Sequence, residues 1–323
     1  MYRAIREISR CFSSVARQKN VDSKKLQNSS YTVRSVRSED IPELAELARE
    51  NFFQFPVSSL KFWSQLDPDG IKVAVNQVGK VVGVCSTVKN SENLYFGGMF
   101  IVQEKSRDAD VGRKLTNECH EHAGNSNIGV NCSRTKMGLF KRRGVEIIET
   151  DWKSLEYETY NPVKPCVLSD DLPAGVEILP FQASYMEAVL TYDRLLVGYE
   201  RRSTIETSCT DKECNKTLVA MKDGRCVGFG SIKLNILGLG RVGPLYADDA
   251  SIAEAMVKRL ITDMPEANGF TMVTVSSNIL GNMILEKLQI PVHDNIYRLY
   301  KKEKLKVDTN KIFAHFDIDF SFF

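Results

Sequence analysis

No stretch of this 323-residue chain stays apolar for the roughly 20 residues that a helix needs to cross a bilayer. Neither sign of charge dominates, because 43 lysines and arginines stand against 41 aspartates and glutamates, a net charge of +2. A nearly neutral chain has no overall field that would attract nucleic acid or an anionic membrane. With 43% hydrophobic and 26% charged residues, the composition predicts a soluble globular protein without a nucleic-acid or membrane partner.

Three common catalytic signatures are also missing: the Gly-x4-Gly-Lys phosphate loop, the His-Glu-x-x-His zinc motif and the Gly-x-Ser-x-Gly nucleophile motif. Their absence disfavours nucleotide hydrolysis, zinc proteolysis and serine hydrolysis. His120 and His122 are not predicted to hold a metal, since residues two apart on a helix point to different faces. We expect both histidines to be solvated.

The eight cysteines follow no regular framework, at positions 11, 85, 119, 132, 166, 209, 214 and 226. Several lie in apolar, strand-like runs, where a free thiol behaves as a small hydrophobic group, and this favours a reducing compartment. Cys209 and Cys214 are spaced as half of a metal site, but no second pair or nearby histidine completes it. We expect no metal.

Residues 1–30 are basic, with Glu7 and Asp22 as their acidic residues. Apolar residues recur there at helical spacing, opposite the arginines: Ile5, Ile8, Phe12 and Val15. An Arg-rich, Ser-bearing, acid-poor amphipathic segment is typical of a mitochondrial transit peptide. We therefore expect mitochondrial import, and the alternative is a basic tail on a cytoplasmic protein.

From Tyr31 onward, the apolar pattern and the turn residues predict alternating strands and helices. Ser38 is predicted to cap a helix that has Pro42 in its first turn. Gly79 is predicted to turn a hairpin, and Gly144 to end a helix in the left-handed conformation. The predicted strands are 31–36, 71–76, 81–89, 95–102, 128–132 and 145–150; the predicted helices lie near 41–48, 59–66, 112–123 and 137–143.

The same order recurs about 145 residues later in the chain. Ile178 follows Val33 by 145 residues, and Gly224 follows Gly79 by 145 residues in a matching Gly-x-x-Val-Gly hairpin. This repeat predicts two copies of one α+β domain, each with its own core. The predicted boundaries are 31–152 for the first domain, 176–323 for the second, and 153–175 for a proline-containing linker.

The stretch 94–115 joins an apolar strand, a charged loop and a helix start, and the first turn of a helix offers unpaired N–H groups to an anion. Arg107 and Gly112 match the outer positions of the Arg/Gln-x-x-Gly-x-Gly/Ala segment that binds acyl-CoA in the GNAT superfamily of N-acetyltransferases, with Asp110 in place of the middle glycine. The chain resembles this superfamily over 31–152 and, more weakly, 176–303. Its second half is similar to the C-terminal domain of the tandem, YitH-type members.

The resemblance implies two GNAT domains, each a mixed, mostly antiparallel sheet flanked by helices. It implies acetyl-CoA or another acyl-CoA as co-substrate in the first domain. The positions that match the pantetheine strand and the pyrophosphate loop are Phe100, Ile101, Val102, Arg107, Val111, Gly112, Arg113 and Lys114.

Several residues depart from the family's pattern. Asp110 is expected to cap the helix that follows it, and a carboxylate at about 4 Å from a phosphate is unfavourable by roughly 4 kcal/mol. Phe140 stands where many members have a proton-donating tyrosine. No general base is assigned, since Glu92 and Glu104 are expected to be solvated. In the second half, Leu245–Asp249 replaces the phosphate loop, Leu285 stands at the tyrosine position, and Asp248 or Asp249 is expected to cap a helix, so this half is not expected to bind CoA.

The resemblance implies acyl transfer to the amine of a small molecule or peptide that enters between the two copies. One variant is an acyl-CoA:amino-acid N-acyltransferase, similar to the mitochondrial glycine-conjugating enzymes. The alternative from another class is a non-catalytic GNAT-fold protein that binds a ligand or partner. The aromatic residues Phe52, Phe53, Phe55 and Trp63 are expected either to pack under the sheet or to line the acceptor side. The sequence does not define the acceptor or the oligomeric state.

Overall fold

The computed structural model describes residues 31–211 and 215–323, so the predicted transit peptide (1–30) and Cys214 lie outside the described residues. The strands are β1 Tyr31–Ser35, β2 Ile71–Asn76, β3 Val81–Ser91, β4 Leu94–Val102, β5 Asn127–Cys132, β6 Ile147–Ile148, β7 Ser154–Thr159, β8 Val176–Pro180, β9 Asn215–Lys222, β10 Arg225–Leu234, β11 Gly240–Ala247, β12 Phe270–Val275, β13 Val292–Tyr300 and β14 Ile312–Ala314. The helices are α1 Ile41–Glu50, α2 Val57–Leu66, α3 Val111–Ala123, α4 Met137–Lys141, α5 Met186–Val197, α6 Arg202–Thr210, α7 Ala250–Thr262 and α8 Ile279–Lys287.

Twelve strands form one continuous sheet in the order β1-β2-β3-β4-β5-β13-β7-β12-β11-β10-β9-β8. Two short strands lie off this path, β14 beside β11 and β6 beside β13. The β4–β5 and β11–β12 pairs are parallel, and the other pairs of the described sheet are antiparallel. Helices flank this mostly antiparallel sheet, which confirms the predicted α+β class. Among the described residues, no helix combines the length and the hydropathy of a bilayer span.

The two halves of the sheet exchange a strand. β13, near the end of the second half, pairs with β5 of the first half. β7, which follows the first half, pairs with β12 of the second half and with β13. The predicted linker 153–175 therefore contains a strand of the second half, and the predicted strand 145–150 is reduced to the two residues of β6. Apolar patterning marks a strand but does not define which strand lies beside it.

The prediction of separate cores is wrong. One hydrophobic cluster contains Leu44 and Phe55 from the first half together with Val189 and Phe229 from the second half. Aromatic residues of the tail segment, which we define as residues 316–323, complete this cluster. Phe320, for example, is fully buried and packs edge-on against Phe55. The tail segment therefore joins the two halves through the hydrophobic effect.

Local turn chemistry agrees with most of the predictions. Gly79 and Gly144 have φ angles of 85° and 79°, in the left-handed region that glycine adopts without a steric cost. Ser38 does not cap α1, because residues 38–40 form a 3-10 turn in which the Asp40 carboxylate accepts a hydrogen bond from the Arg37 N–H group. Arg34 also pairs with this carboxylate, which holds the pKa of Asp40 below its ordinary value.

Candidate active site

The candidate active site lies where β4 and β5 separate. The two strands pair in parallel as far as Gly97 and Val130 and are not paired beyond them. At this point β4 carries a bulge, because Gly98 and Met99 together stand opposite a single residue of β3. A cavity of about 330 Å³ occupies the opening.

The walls of this cavity come from distant parts of the chain: β3, β4, β5, α3, α4, β13 and the tail segment. Phe53, Phe100 and Phe140 contribute aromatic surface, and the polar residues of the lining include Asn131 and the cations Lys136 and Arg143. An apolar cavity with a few convergent polar groups is typical of a site for a small molecule. Of the aromatic loop, Phe53 lines the cavity, whereas Phe55 and Trp63 pack under the sheet.

The tail segment is held against the separated strands by backbone and side-chain contacts. The Asn131 Nδ2 group donates to the carbonyl oxygen of Ile318 (2.8 Å), and the Asn90 Nδ2 group donates to that of Phe320 (2.9 Å). A Cβ atom on Gly98 would lie 1.5 Å from the carbonyl oxygen of Asp319. Only glycine permits this approach, so the tail segment packs directly on the bulge of β4.

The loop before α3 leaves the N-terminus of that helix open. Asp110 has φ 62° and ψ 11°, the left-handed conformation that the family's middle glycine would adopt easily and that aspartate tolerates better than most residues. Its side chain does not cap α3, which corrects our expectation. The carboxylate instead bonds the Arg113 guanidinium, with Nε at 2.7 Å from Oδ1, and this contact lowers the pKa of Asp110. Its charge is therefore offset by a neighbouring cation.

The predicted cofactor-binding residues lie on both sides of this loop. Phe100 lines the cavity, and its ring lies near the space that a Cβ atom on Gly112 would occupy. Arg107 is exposed and donates to the carbonyl oxygen of Val102 (3.3 Å). The Lys114 ammonium lies 4.8 Å from the centre of the Tyr31 ring. The side chains of Ile101 and Val111 are buried in the core and that of Val102 is partly buried, so these apolar positions would contact a cofactor through backbone groups.

The two histidines of α3 are not solvated as we expected. His120 is half-buried and lines the cavity. Burial and the positive charges of Lys301 and Arg143 lower its pKa, so its ring is neutral at pH 7. His122 bonds the Asp67 carboxylate at 2.8 Å on another face of the helix. The different directions of the two rings agree with their spacing.

Three thiols also border the cavity: Cys85, Cys119 and Cys132. Cys119 donates through its thiol to the carbonyl oxygen of Cys85 (Sγ···O 3.4 Å). Burial raises the pKa of the Cys132 thiol to about 11, so this sulfur is protonated at neutral pH. These cysteines form part of the apolar wall of the cavity. The apolar runs around Cys85 and Cys132 predicted this, whereas Cys119 lies in a polar stretch of α3.

A pair of carboxylates in the tail segment escaped the sequence analysis. Asp319 is half-buried and lines the cavity, and Asp317 is buried beside it. The Asp317 carboxylate accepts a hydrogen bond from the Asp319 N–H group (2.8 Å). Burial raises the pKa of both side chains, and for Asp319 the negative charge of Asp317 adds to this effect. The signal was acidic residues inside an aromatic run, which is uncommon at a solvated surface.

In the second half, the corresponding opening is filled by the chain itself. β11 and β12 pair in parallel only from Gly240–Val242 with Phe270–Met272. Beyond that point β14 lies against β11, and the His315 N–H group donates to the carbonyl oxygen of Val273 on β12 (2.9 Å). A Cβ atom on Gly243 would lie 2.4 Å from the carbonyl oxygen of His315. The space that is a cavity in the first half is a strand here.

The helix after β11 is also closed to an anion. Asp249 caps α7, because its Oδ1 atom accepts a hydrogen bond from the Ser251 N–H group (2.8 Å), as predicted. Asp248 is paired with Lys311 (2.9 Å) instead. Leu285, at the tyrosine position, is fully buried in the core. A negatively charged cap replaces the free amide groups that a phosphate would need.

Residues 189–314 match the model of the "Acetyltransferase (GNAT) domain" family. The chain is 20% identical over 299 residues to "Holothin acyltransferase" of Pseudoalteromonas sp., with 91% of this chain and 96% of the relative covered. Its fold is similar to that of a Pyrococcus horikoshii protein assigned as an acetyltransferase (TM-score 0.70, 15% identity, 94% and 100% of the two chains). It is also similar to a tandem GNAT protein from the clavulanic acid biosynthesis pathway (TM-score 0.58, 13% identity, 84% and 98%).

Proposed function

We propose that this protein, a GNAT acyltransferase whose residues 189–314 carry the family domain, transfers an acyl group from acetyl-CoA or another acyl-CoA to an amine. The observation that carries this proposal is the cavity between β4 and β5, whose lining residue Phe100 also lies against Gly112 in the uncapped first turn of α3. The relative that is named an acyltransferase, with coverage of 96% of its length, supports the reaction class.

The residues present fit an acyl-CoA. The first turn of α3 has N–H groups that no side chain caps, and Arg107 and Lys114 add positive charge beside it. Oriented N–H groups at a helix N-terminus suit a pyrophosphate. The thioester end would then reach the bulged part of β4, beside the tail segment that packs on Gly98. A bound acyl-CoA supplies an activated acyl group at a carbon that an amine can attack.

The chain's own residues position and screen the reaction. Phe53, Phe100 and Phe140 give the cavity apolar surface, against which the acyl group can pack. Phe140 cannot protonate a leaving thiolate. The neutral His120 ring, on the neighbouring helix, is a hydrogen-bond donor in the same cavity. Holding two reactants in one such space is itself a large part of acyl-transfer catalysis.

The acceptor in our proposal is the amine of a small molecule. The cavity volume of about 330 Å³ is at the lower end for a ligand pocket, which favours a small acceptor over a long peptide. The relative named for holothin, rather than for a protein, is in keeping with this proposal. An amino acid is one member of the acceptor class.

Calorimetric titration with acetyl-CoA tests the proposal. We expect one molecule of acetyl-CoA per chain, with an affinity that falls as salt is raised, because the pyrophosphate contacts are ionic. Longer acyl-CoAs, titrated in parallel, define the donor. Absence of heat at millimolar acetyl-CoA would exclude the enzyme and leave the alternative, a GNAT-fold protein that binds another ligand or a partner.

We also propose that residues 1–30 direct the protein to mitochondria, on the basis of their basic, amphipathic composition. A fluorescent fusion of the full chain should colocalise with a mitochondrial marker, and the fusion without residues 1–30 should not. A full-length fusion that is diffuse in the cell would overturn this proposal.

A further inference from the structure

We propose that Asp319, in the tail segment, is the general base that takes a proton from the acceptor amine. This inference rests on the proposed acyl transfer and adds a catalytic residue to it. The residue is contributed from the far end of the chain to a cavity in the first half, so it could not be found by matching that half to a motif.

The position of Asp319 is fixed by its backbone. Its carbonyl oxygen lies against the bare Cα atom of Gly98, at the bulge where β4 leaves β5. The preceding residue is held by Asn131 and the following one by Asn90, through their carbonyl oxygens. A side chain on a backbone held from three sides keeps its place beside the cavity, which is what a general base requires.

The carboxylate of Asp319 is also available. Within the described residues it makes no hydrogen bond, although its N–H group donates to Asp317. The charged groups that act on it are Asp317 in the tail segment, Glu156 on β7 and Arg241 on β11. The titratable and charged groups that line the same cavity are His120, Lys136 and Arg143. Burial and the two carboxylates raise its pKa, and Arg241 opposes them. A carboxylate of raised pKa is a stronger base than an exposed one.

Asp317 is the weaker candidate for the same role. It is 4% exposed, its carboxylate already accepts the Asp319 N–H group, and it is not among the cavity-lining residues. The guanidinium of Arg241 is buried with two nitrogens that have no hydrogen-bond partner, so it acts on both carboxylates through its charge alone. Asp317 and Arg241 are therefore positioning and tuning residues in our assignment.

The proposed step balances as follows. An alkylamine reaches the site as an ammonium ion, and one N–H proton passes to the Asp319 carboxylate, directly or through one water molecule. The nitrogen lone pair then attacks the thioester carbonyl carbon, a C–N bond forms and the C–S bond breaks. The second proton leaves the nitrogen and ends on the thiolate sulfur, which gives free CoA. Asp319 returns its proton to solvent.

The test is the release of free CoA from acetyl-CoA, measured with a thiol reagent, with water alone and with benzylamine or glycine as acceptor. In the Asp319→Asn variant we expect kcat to fall by about 10²-fold or more, with the dissociation constant of acetyl-CoA within about threefold of the parent. Asp319→Glu should restore part of the rate. The control Asp263→Asn, at an exposed carboxylate after α7, should change neither quantity.

The pH profile separates a base from a structural residue. The parent rate should fall on the acid side, as the Asp319 carboxylate takes up its proton, and this limb should be absent in Asp319→Asn. The assignment is overturned if Asp319→Asn keeps kcat within about threefold, if the limb persists, or if the parent binds acetyl-CoA but releases no CoA. Failure of the parent to bind acetyl-CoA would instead overturn the proposed function.

Discussion

The two halves of this molecule start from the same strand geometry and use it in opposite ways. In each half a parallel pair of strands separates after a few residues, β4 from β5 and β11 from β12. In the first half the separation is a cavity, bordered by the tail segment. In the second half β14 fills it and Asp249 caps the adjacent helix. The opening is therefore a property of the fold, and its use as a site depends on what the rest of the chain puts into it.

The family model matches the half in which the opening is filled, residues 189–314. The first half, which has the cavity, lies outside that match. Residues such as Val242, Leu245 and Leu260 are fully buried in the second half, and core packing of this kind preserves a family's sequence pattern independently of the site. The match to the family model and the retention of the cavity thus fall in different halves of one chain.

The largest effect is expected from adding one carbon atom at Gly98, on which the tail segment packs. In Gly98→Ala the new Cβ atom would lie 1.5 Å from a backbone oxygen, so the tail segment must move. We expect a loss of about 3 kcal/mol in the free energy of unfolding and loss of CoA release. The control Gly138→Ala, where the nearest atom is a side-chain nitrogen at 3.5 Å, should leave CoA release unchanged and should not lower stability, because alanine favours the helix α4. Denaturant unfolding measures the stability, and the thiol assay measures the release of CoA. If Gly98→Ala changed neither, the contact between Gly98 and the Asp319 carbonyl oxygen would be contradicted.

Asp110 and Asp249 offer a direct comparison of the two helix starts. Asp110→Gly relieves a left-handed aspartate and frees Arg113 for the pyrophosphate, so acetyl-CoA should bind about tenfold more tightly. Asp249→Gly removes a helix cap, and should lower stability by a few tenths of a kcal/mol without changing acetyl-CoA affinity. Calorimetry decides: an effect of Asp249→Gly on binding would place a CoA site in the second half.

The stability that Asp319→Asn gains over the parent should increase as the pH rises. Below about pH 3 the folded and unfolded chains both hold the Asp319 proton, whereas at higher pH the unfolded chain releases it first, because burial raises the folded-state pKa. The parent therefore loses stability as the pH rises through this window, and the variant does not. Denaturant unfolding at about pH 3 and about pH 8 should show a gain in stability for the variant that is larger at the higher pH. A gain confined to the acid side would mean that the side chain is paired in the folded state.

The smallest effect is expected from restoring a tyrosine. Phe140 lines the cavity at the position of the family's proton donor, so Phe140→Tyr places a phenol group beside the leaving thiolate. We expect CoA release to rise by no more than about tenfold, with acetyl-CoA affinity unchanged. The companion variant Leu285→Tyr changes a fully buried core residue of the second half and should reduce stability without raising the rate. A lower rate in Phe140→Tyr would place the thiolate elsewhere.

Local features of the fold were predictable, because short-range chemistry determines them. Gly79 and Gly144 adopt the left-handed conformations expected of them, and most of the predicted strands and helices are present. The exchange of β7 and β13 was not predictable, because the apolar pattern of a strand does not indicate which strand pairs with it from more than a hundred residues away. The Asp110 conformation and its pairing with Arg113 depend on backbone dihedral angles that one residue identity does not determine.

The candidate site was predictable only in part. The strand and helix start of the first half gave its location, and Phe100 lines the cavity. The position of Asp319 at the cavity could not be predicted, because its contact with Gly98 joins residues more than two hundred positions apart and produces no local sequence pattern. The contribution of His120 was missed because helical spacing excludes a shared metal but does not say which face meets a cavity.

The strand exchange also determines when this chain can finish folding during its synthesis. Asn131 on β5 bonds Arg298 on β13, 167 residues later, so the sheet of the first half keeps a bare edge until the ribosome has made almost the whole protein. An unpaired strand edge on a nascent chain is a template for wrong pairing with other chains. β7 likewise has no partner until β12 has been synthesised, so the sheet of neither half can be completed before the other.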